Sequence, residues 1–144
     1  MLLIRLIKNQ DEYKKTLEIR NSVFVKEQSI PKELEFDEHE EESMHFIAFE
    51  GETVVGCARL RQIDDNIKLE RISVLNEFRG KGYGKEIVNF LVKYALKNNP
   101  KKIYVNAQHF LFNFYKELGF VPYGTTFFEA GIKHVKMEYK GKKG

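Results

Sequence analysis

The segment Arg79-Gly80-Lys81-Gly82-Tyr83-Gly84 constrains this chain more than any other, because it places three alternating glycines between a strand-like run and an amphipathic helical run. Glycine permits tight turns that other residues resist, so successive N–H groups here can converge on an anion at the start of the next helix, where the helix dipole adds favourable potential. Arg79, Lys81 and Lys85 add formal positive charge. A pyrophosphate is the ligand that suits such an arrangement. The spacing matches neither Gly, four residues, then Gly-Lys-Ser/Thr of nucleotide hydrolases nor the dinucleotide fingerprint Gly-x-Gly-x-x-Gly. Taken alone, the six residues also admit a purely structural turn between strand and helix.

After the turn, Ile87, Val88, Leu91, Tyr94 and Ala95 share one helical face, with Lys85, Glu86, Asn89, Lys93 and Lys97 opposite, and Pro100 closes the run. Before it, residues 67–75 read as a strand whose pattern slips: Ile67 and Leu69 share one parity, Ile72 and Val74 the other. A β-bulge near Glu70 and Arg71 explains the slip, and so does a central strand buried on both faces.

The remaining elements follow from periodicity and turn residues. Residues 2–7 alternate as an opening strand, and Asn9 with Glu12 three residues on resembles a helix cap. Tyr13, Leu17, Arg20 and Phe24 predict one inward helical face as far as about Lys26, which Pro31 then breaks. Residues 45–49 and 53–60 predict a hairpin across Glu50-Gly51-Glu52. Ile103 and Val105 mark a short strand, Phe110, Leu111, Phe114 and Leu118 a helical face stopping at Gly119, and two strands follow near Phe120 and at 134–139. The order β, α, β, β, β, α, β, α, β, β predicts an α/β (mixed α+β) chain forming one domain over residues 1–144.

Composition excludes several classes. A 144-residue chain can bury about 68–70% of its unfolded surface, enough for a core without staples. The single Cys57 cannot form an intrachain disulfide, no stretch resembles a signal peptide, and no apolar run approaches the roughly 20 residues of a membrane span. These features predict a cytoplasmic protein without a membrane partner. Histidines 39, 45, 109 and 134 are too scattered to suggest a metal site, and none is expected. The net charge of +3 is uneven: Glu33, Glu35, Asp37, Glu38, Glu40, Glu41 and Glu42 form an acidic run, and residues 133–143 are basic. The acidic run is either a solvated face or a field that draws in a cationic amine. Lys133, Lys136, Lys140, Lys142 and Lys143 lack interleaved stacking aromatics beyond Tyr139, so no nucleic acid is expected.

Arg79-x-x-Gly82-x-Gly84 resembles the Arg/Gln-x-x-Gly-x-Gly/Ala signature of the GNAT superfamily of acetyltransferases, and Leu69-Glu70-Arg71-Ile72-Ser73-Val74 resembles the strand that leads into it. Gln108, Leu111, Tyr115, Gly119 and Phe120 stand where that superfamily often has Asn, Ala, Tyr, Gly and Phe. Arg20, Val23, Phe24, Val25, Glu27 and Gln28, then residues 128–132 with His134, resemble its ElaA-like and YjcF-like branch. The resemblance covers nearly the whole chain. It implies a three-layer α/β/α fold around a twisted, mixed, mostly antiparallel sheet with a splayed, bulged central strand.

It also implies acetyl-CoA as co-substrate, with the diphosphate on residues Arg79, Gly80, Lys81, Gly82, Tyr83 and Gly84. The pantetheine arm would pair with the main chain at Ile72, Ser73 and Val74, with Gln108 and Asn113 nearby. Acetyl transfer needs an unprotonated amine, a polarised thioester carbonyl and a proton for the departing thiolate. Tyr115 is the expected acid and Glu70 the expected base, with Glu35, Asp37, Glu129 and His134 as alternatives; Phe24, Glu129 and His134 are expected to meet the acceptor, a small-molecule or peptide amine. A homodimer fits the family. A coenzyme A-binding module without catalysis is the rival reading.

Overall fold

The computed structural model describes residues 2–141, so Lys142 and Lys143 of the basic end lie outside the described residues. The chain opens with β1 (Leu2–Leu6), and Asn9 then caps α1 (Gln10–Arg20), its side chain accepting from the Glu12 N–H at 2.9 Å. Glu12 reaches back to the Lys8 N–H at 2.7 Å and grips Arg5, closing the cap one residue earlier than a standard box. The helix continues into a π-helical turn, Asn21–Glu27, followed by the short α2 (Lys32–Glu35). The buried face differs from the expected one: Thr16, Ile19, Arg20, Val23 and Phe24 are buried, while Tyr13 and Leu17 are half-buried.

Next come β2 (Met44–Glu50), β3 (Thr53–Ile63) and β4 (Asn66–Val74), then α3 (Tyr83–Leu96) and β5 (Lys102–Gln108). A 3-10 turn, His109–Leu111, leads into α4 (Phe112–Glu117), and the chain ends with β6 (Phe120–Pro122), β7 (Phe127–Glu129) and β8 (Ile132–Tyr139). β7, three residues long and hairpinned to β8, adds a strand to the predicted order. The predicted helical face from Phe110 is corrected at its start: Phe110 lies in the 3-10 turn and points outward, whereas Tyr115 and Leu118 turn inward.

The eight strands form one mixed sheet in the order β1-β2-β3-β4-β5-β8-β6, with β7 also on β8. β4 and β5 run parallel; the other neighbouring pairs are antiparallel. Helix α3 buries Ile87, Val88 and Leu91 against one face, with Phe46, Leu60, Leu69 and Val105 in the same cluster. On the other face Ile19, Val23, Phe24 and Ile30 gather around Cys57. Helices thus cover both sides of the sheet.

The slip in β4 is a bulge. Cys57 pairs with Ser73 and Arg59 with Glu70, so three steps along β4 match two along β3, and Arg71 takes a left-handed φ of 52°. Ile67 and Leu69 before it and Ile72 and Val74 after it all pack on the same core cluster, which is why their parity changes. Gly56 lies opposite: a Cβ there would sit 2.6 Å from the Ser73 carbonyl oxygen, so glycine is what lets β3 approach the bulge.

Candidate active site

β4 pairs with β5 only from Asn66 through Leu69, opposite Lys102 through Val105. Beyond that point β5 stays with β8, down to Gln108 opposite His134, while the bulged end of β4 leaves it. Two cavities open along the parted strands. The smaller, about 290 Å³, runs from Ile72, Ser73 and Val74 to the glycine loop, with Leu111, Phe114 and Tyr115 as an apolar wall. The larger, about 430 Å³, lies between the β5 end, the β7–β8 hairpin and the segment around α2. Ile72, Leu111 and Tyr115 line both, so the cavities meet there.

The glycine loop has the geometry that an anion cradle needs. Gly80 and Gly82 both take φ of 81°, which a side chain would strain. The Glu86 N–H bonds to the Gly82 carbonyl at 3.1 Å, so N–H groups earlier in α3 need partners from outside the helix. Tyr83 donates its hydroxyl to Glu50 at 2.5 Å, tying the helix start to β2. Arg79 lines the smaller cavity but is already engaged: it donates to the Val74 carbonyl at 3.0 Å and to Glu27 at 2.8 Å, linking the end of β4 to the π-helical turn. Lys81 points elsewhere, over the rings of Phe78 and Tyr83 and 3.6 Å from Glu50.

The other predicted site residues divide cleanly. Phe24, Glu129 and His134 all reach the larger cavity. Gln108, expected beside the cofactor, lines that cavity instead and bonds to Gln28 at 2.6 Å. Asn113 is exposed on α4 and lines neither cavity. Tyr115 is buried between Phe114 and Phe120, and its hydroxyl has no hydrogen-bond partner among the described residues. Burial pushes that hydroxyl above its ordinary range, so it keeps its proton at neutral pH.

The expectation for Glu70 is corrected by its surroundings. The carboxylate lines the larger cavity but accepts from Arg59 at 3.0 Å and lies 2.8 Å from the Lys68 ammonium and 3.3 Å from Arg61. Burial alone would raise its pKa, yet the charges of Lys68 and Arg59 outweigh it and hold the carboxyl below the usual range. A carboxylate so held is a poor proton acceptor.

The acidic run divides: Glu35, Asp37 and Glu40 turn inward onto arginines. Arg20 grips Glu40 through two bonds of 2.7 and 2.8 Å and Glu35 at 2.9 Å. Arg59, fully buried, forks onto Asp37 at 2.8 and 3.1 Å and also contacts Glu40. Arg71, carried on the bulge, reaches Asp37 and Glu35, each at 3.1 Å. Glu33, Glu38, Glu41 and Glu42 remain exposed. This network fastens the wall of the larger cavity to β3 and β4. Sequence reasoning missed it, although Arg20 on the predicted inward helical face was an available signal.

A parted, bulged strand between two meeting cavities, with a glycine loop at one end, defines an acyl-transfer enzyme of the GNAT type. The family model for the acetyltransferase (GNAT) domain matches residues 8–140, and the chain belongs to that family. It is 41% identical over 133 residues to the uncharacterized N-acetyltransferase YjcF of Bacillus subtilis, covering 92% of this chain and 95% of that one. The crystal structure of Escherichia coli ElaA superposes with a TM-score of 0.85 at 23% identity, over 97% of this chain and all of the other. A Bacillus subtilis acetyltransferase crystallised in complex with CoA superposes at 0.74 with 18% identity, over 96% and 98% of the two chains. The chain is therefore an acyltransferase.

No helix among the described residues is long and apolar enough to cross a membrane. No grouping of three or more His, Cys, Asp or Glu side chains that could hold a metal occurs among them either.

Proposed function

We propose that the protein transfers the acetyl group of acetyl-CoA to a primary amine of a small molecule or peptide by direct attack. The observation that carries this reading is the meeting of the two cavities at Ile72, Leu111 and Tyr115, beside the end of β4 that parts from β5. One cavity ends at the glycine loop and suits the cofactor; the other is lined by Phe24, Glu129 and His134 and suits the acceptor.

Main-chain N–H groups from Gly80 to Gly84 hold the diphosphate, and their orientation costs nothing further because the loop is already turned. Main-chain groups of residues 72–74, released from β5, pair with the pantetheine arm and donate to the carbonyl oxygen as negative charge grows there. Losing one such donor is worth about 3 kcal/mol in acyl transfer. Tyr115, protonated and at the junction, gives its proton to the leaving thiolate. Cys57 supports direct attack over an acyl-enzyme: it lines neither cavity, and burial pushes its thiol up to about 11. Glu70 contributes as an anchor of the wall.

The test is release of free thiol from acetyl-CoA in the presence of amino sugars, polyamines, aminoglycosides and peptide amino termini. At least one class should accelerate release and yield its N-acetyl product. Acetyl-CoA binding with no thiol release across the panel would refute the reading in favour of a non-catalytic binder.

A further inference from the structure

We infer that His134 is the general base that takes a proton from the incoming amine, and that Glu129 steadies the imidazolium so formed; this rests on the acetyl-transfer reading above. Three features of the geometry carry the inference. His134 is buried yet lines the larger cavity, at the point where β8 pairs with Gln108 of β5, the last residue of the strand that parts from β4. The ring is held from two sides: it stacks on Phe127 with centroids 5.6 Å apart, and its Nδ1 lies 2.7 Å from the Ile132 carbonyl oxygen. A carbonyl can only accept, so Nδ1 carries the hydrogen of the neutral ring, and the lone pair resides on Nε2.

Nε2 has no hydrogen-bond partner among the described residues, and its neighbour is the Glu129 carboxylate at 3.7 Å. That carboxylate is well exposed, so a proton taken up on Nε2 has a path to water. Three of the rival acceptors are occupied: Glu70 by Lys68, Arg59 and Arg61, Asp37 by Arg59 and Arg71, and Glu35 by Arg20 and Arg71. The groups facing His134 are Glu129 from β7 and neutral Gln108 from β5. Across the cavity stand Arg61 from β3, Lys68, Glu70 and Arg71 from β4, Glu33 from α2, and Asp37, Glu38 and His39 beyond it.

The proton inventory closes. An amine arrives as R–NH₃⁺ and gives one proton to Nε2, which passes it to solvent. The freed lone pair attacks the thioester carbon, the C–S bond breaks, Tyr115 protonates the sulfur, and the nitrogen returns a second proton to Tyr115. The products are the acetamide, free thiol and one proton in solution.

The experiment is the pH profile of kcat/KM for His134→Gln and Glu129→Gln with the panel amine that wild type acetylates fastest, alongside calorimetric titration of acetyl-CoA. His134→Gln should lose roughly 10²-fold or more at neutral pH and lose the acid limb of the profile, with acetyl-CoA affinity unchanged. Glu129→Gln should lower kcat several-fold while leaving acetyl-CoA affinity unchanged, because the imidazolium loses its counter-charge. A His134→Gln enzyme with wild-type rate and profile overturns the inference while leaving acetyl transfer intact. Should that variant fail to fold, the exposed Glu129→Gln decides, and a wild-type kcat overturns the inference. A wild type that neither binds acetyl-CoA nor releases thiol refutes the acetyl-transfer reading itself.

Discussion

Replacing Arg59 by methionine should destabilise the protein by about 3 kcal/mol. Arg59 is fully buried and contacts Asp37, Glu40 and Glu70, so its loss leaves three acidic groups in a shared interior without their common cation. Breaking a buried ion pair by removing one partner costs about 3–5 kcal/mol. The lower end applies because each carboxylate keeps another cation: Asp37 has Arg71, Glu40 has Arg20, and Glu70 has Lys68. At roughly 4 °C per kcal/mol for a chain of this length, the melting midpoint should fall by roughly 12 °C.

With no tryptophan to follow, urea denaturation is best read by far-UV circular dichroism, where the midpoint should drop and the slope stay constant. Arg5→Gln, which breaks the solvent-screened pair with Glu12, is the control and should leave the midpoint nearly unmoved. The loss also has a pH signature. Asp37, against the effect of burial, is held low by its bonds and attraction to Arg59, and Glu70 by Lys68 and then Arg59. Folded values below unfolded ones mean stabilisation that is present above the ordinary carboxylate range and fades as pH falls through the folded values. The gap between wild type and Arg59→Met should therefore narrow on acidification. A gap under about 1 kcal/mol at neutral pH, or one that widens in acid, would refute the buried network.

Tyr115→Phe should lower kcat by roughly 10²-fold without weakening acetyl-CoA binding, since the hydroxyl is the group lost and the ring packing stays; steady-state kinetics with a separate binding titration check this. Gly56→Ala should cost about 1–3 kcal/mol in chemical denaturation and also impair acetyl-CoA binding, because its methyl group meets the Ser73 carbonyl at 2.6 Å and must displace the bulge.

Much of the bulge and glycine loop was readable from the sequence because their determinants are local. The parity change between Leu69 and Ile72 and the three glycines lie within sixteen residues, and the bulge and loop occur where those letters placed them. The acceptor side resisted for the opposite reason. Arg20 and Glu40 are 20 residues apart, and Arg71 and Asp37 are 34 apart, so nothing in a local window distinguishes paired acids from solvated ones. The choice of Glu70 as base was blind to the same point, since Arg59 on the neighbouring strand pairs with it. The π-helical turn escaped because helical spacing of Arg20 and Phe24 reads alike whether the turn is tight or widened. His134 was one of several candidate bases in the sequence, and the placement of Ile132 and Glu129 on either side of its ring is what separates it from the others.

Calorimetric titration of acetyl-CoA into the wild-type protein and into Gly82→Val bears most directly on the central claim, that the loop between β4 and α3 holds the diphosphate of the acyl donor. Wild type should give saturable heat at one site per chain, and Gly82→Val, strained at φ 81°, should lose most of it while remaining folded. No heat with the wild type, or undiminished binding in a folded Gly82→Val, would contradict the account.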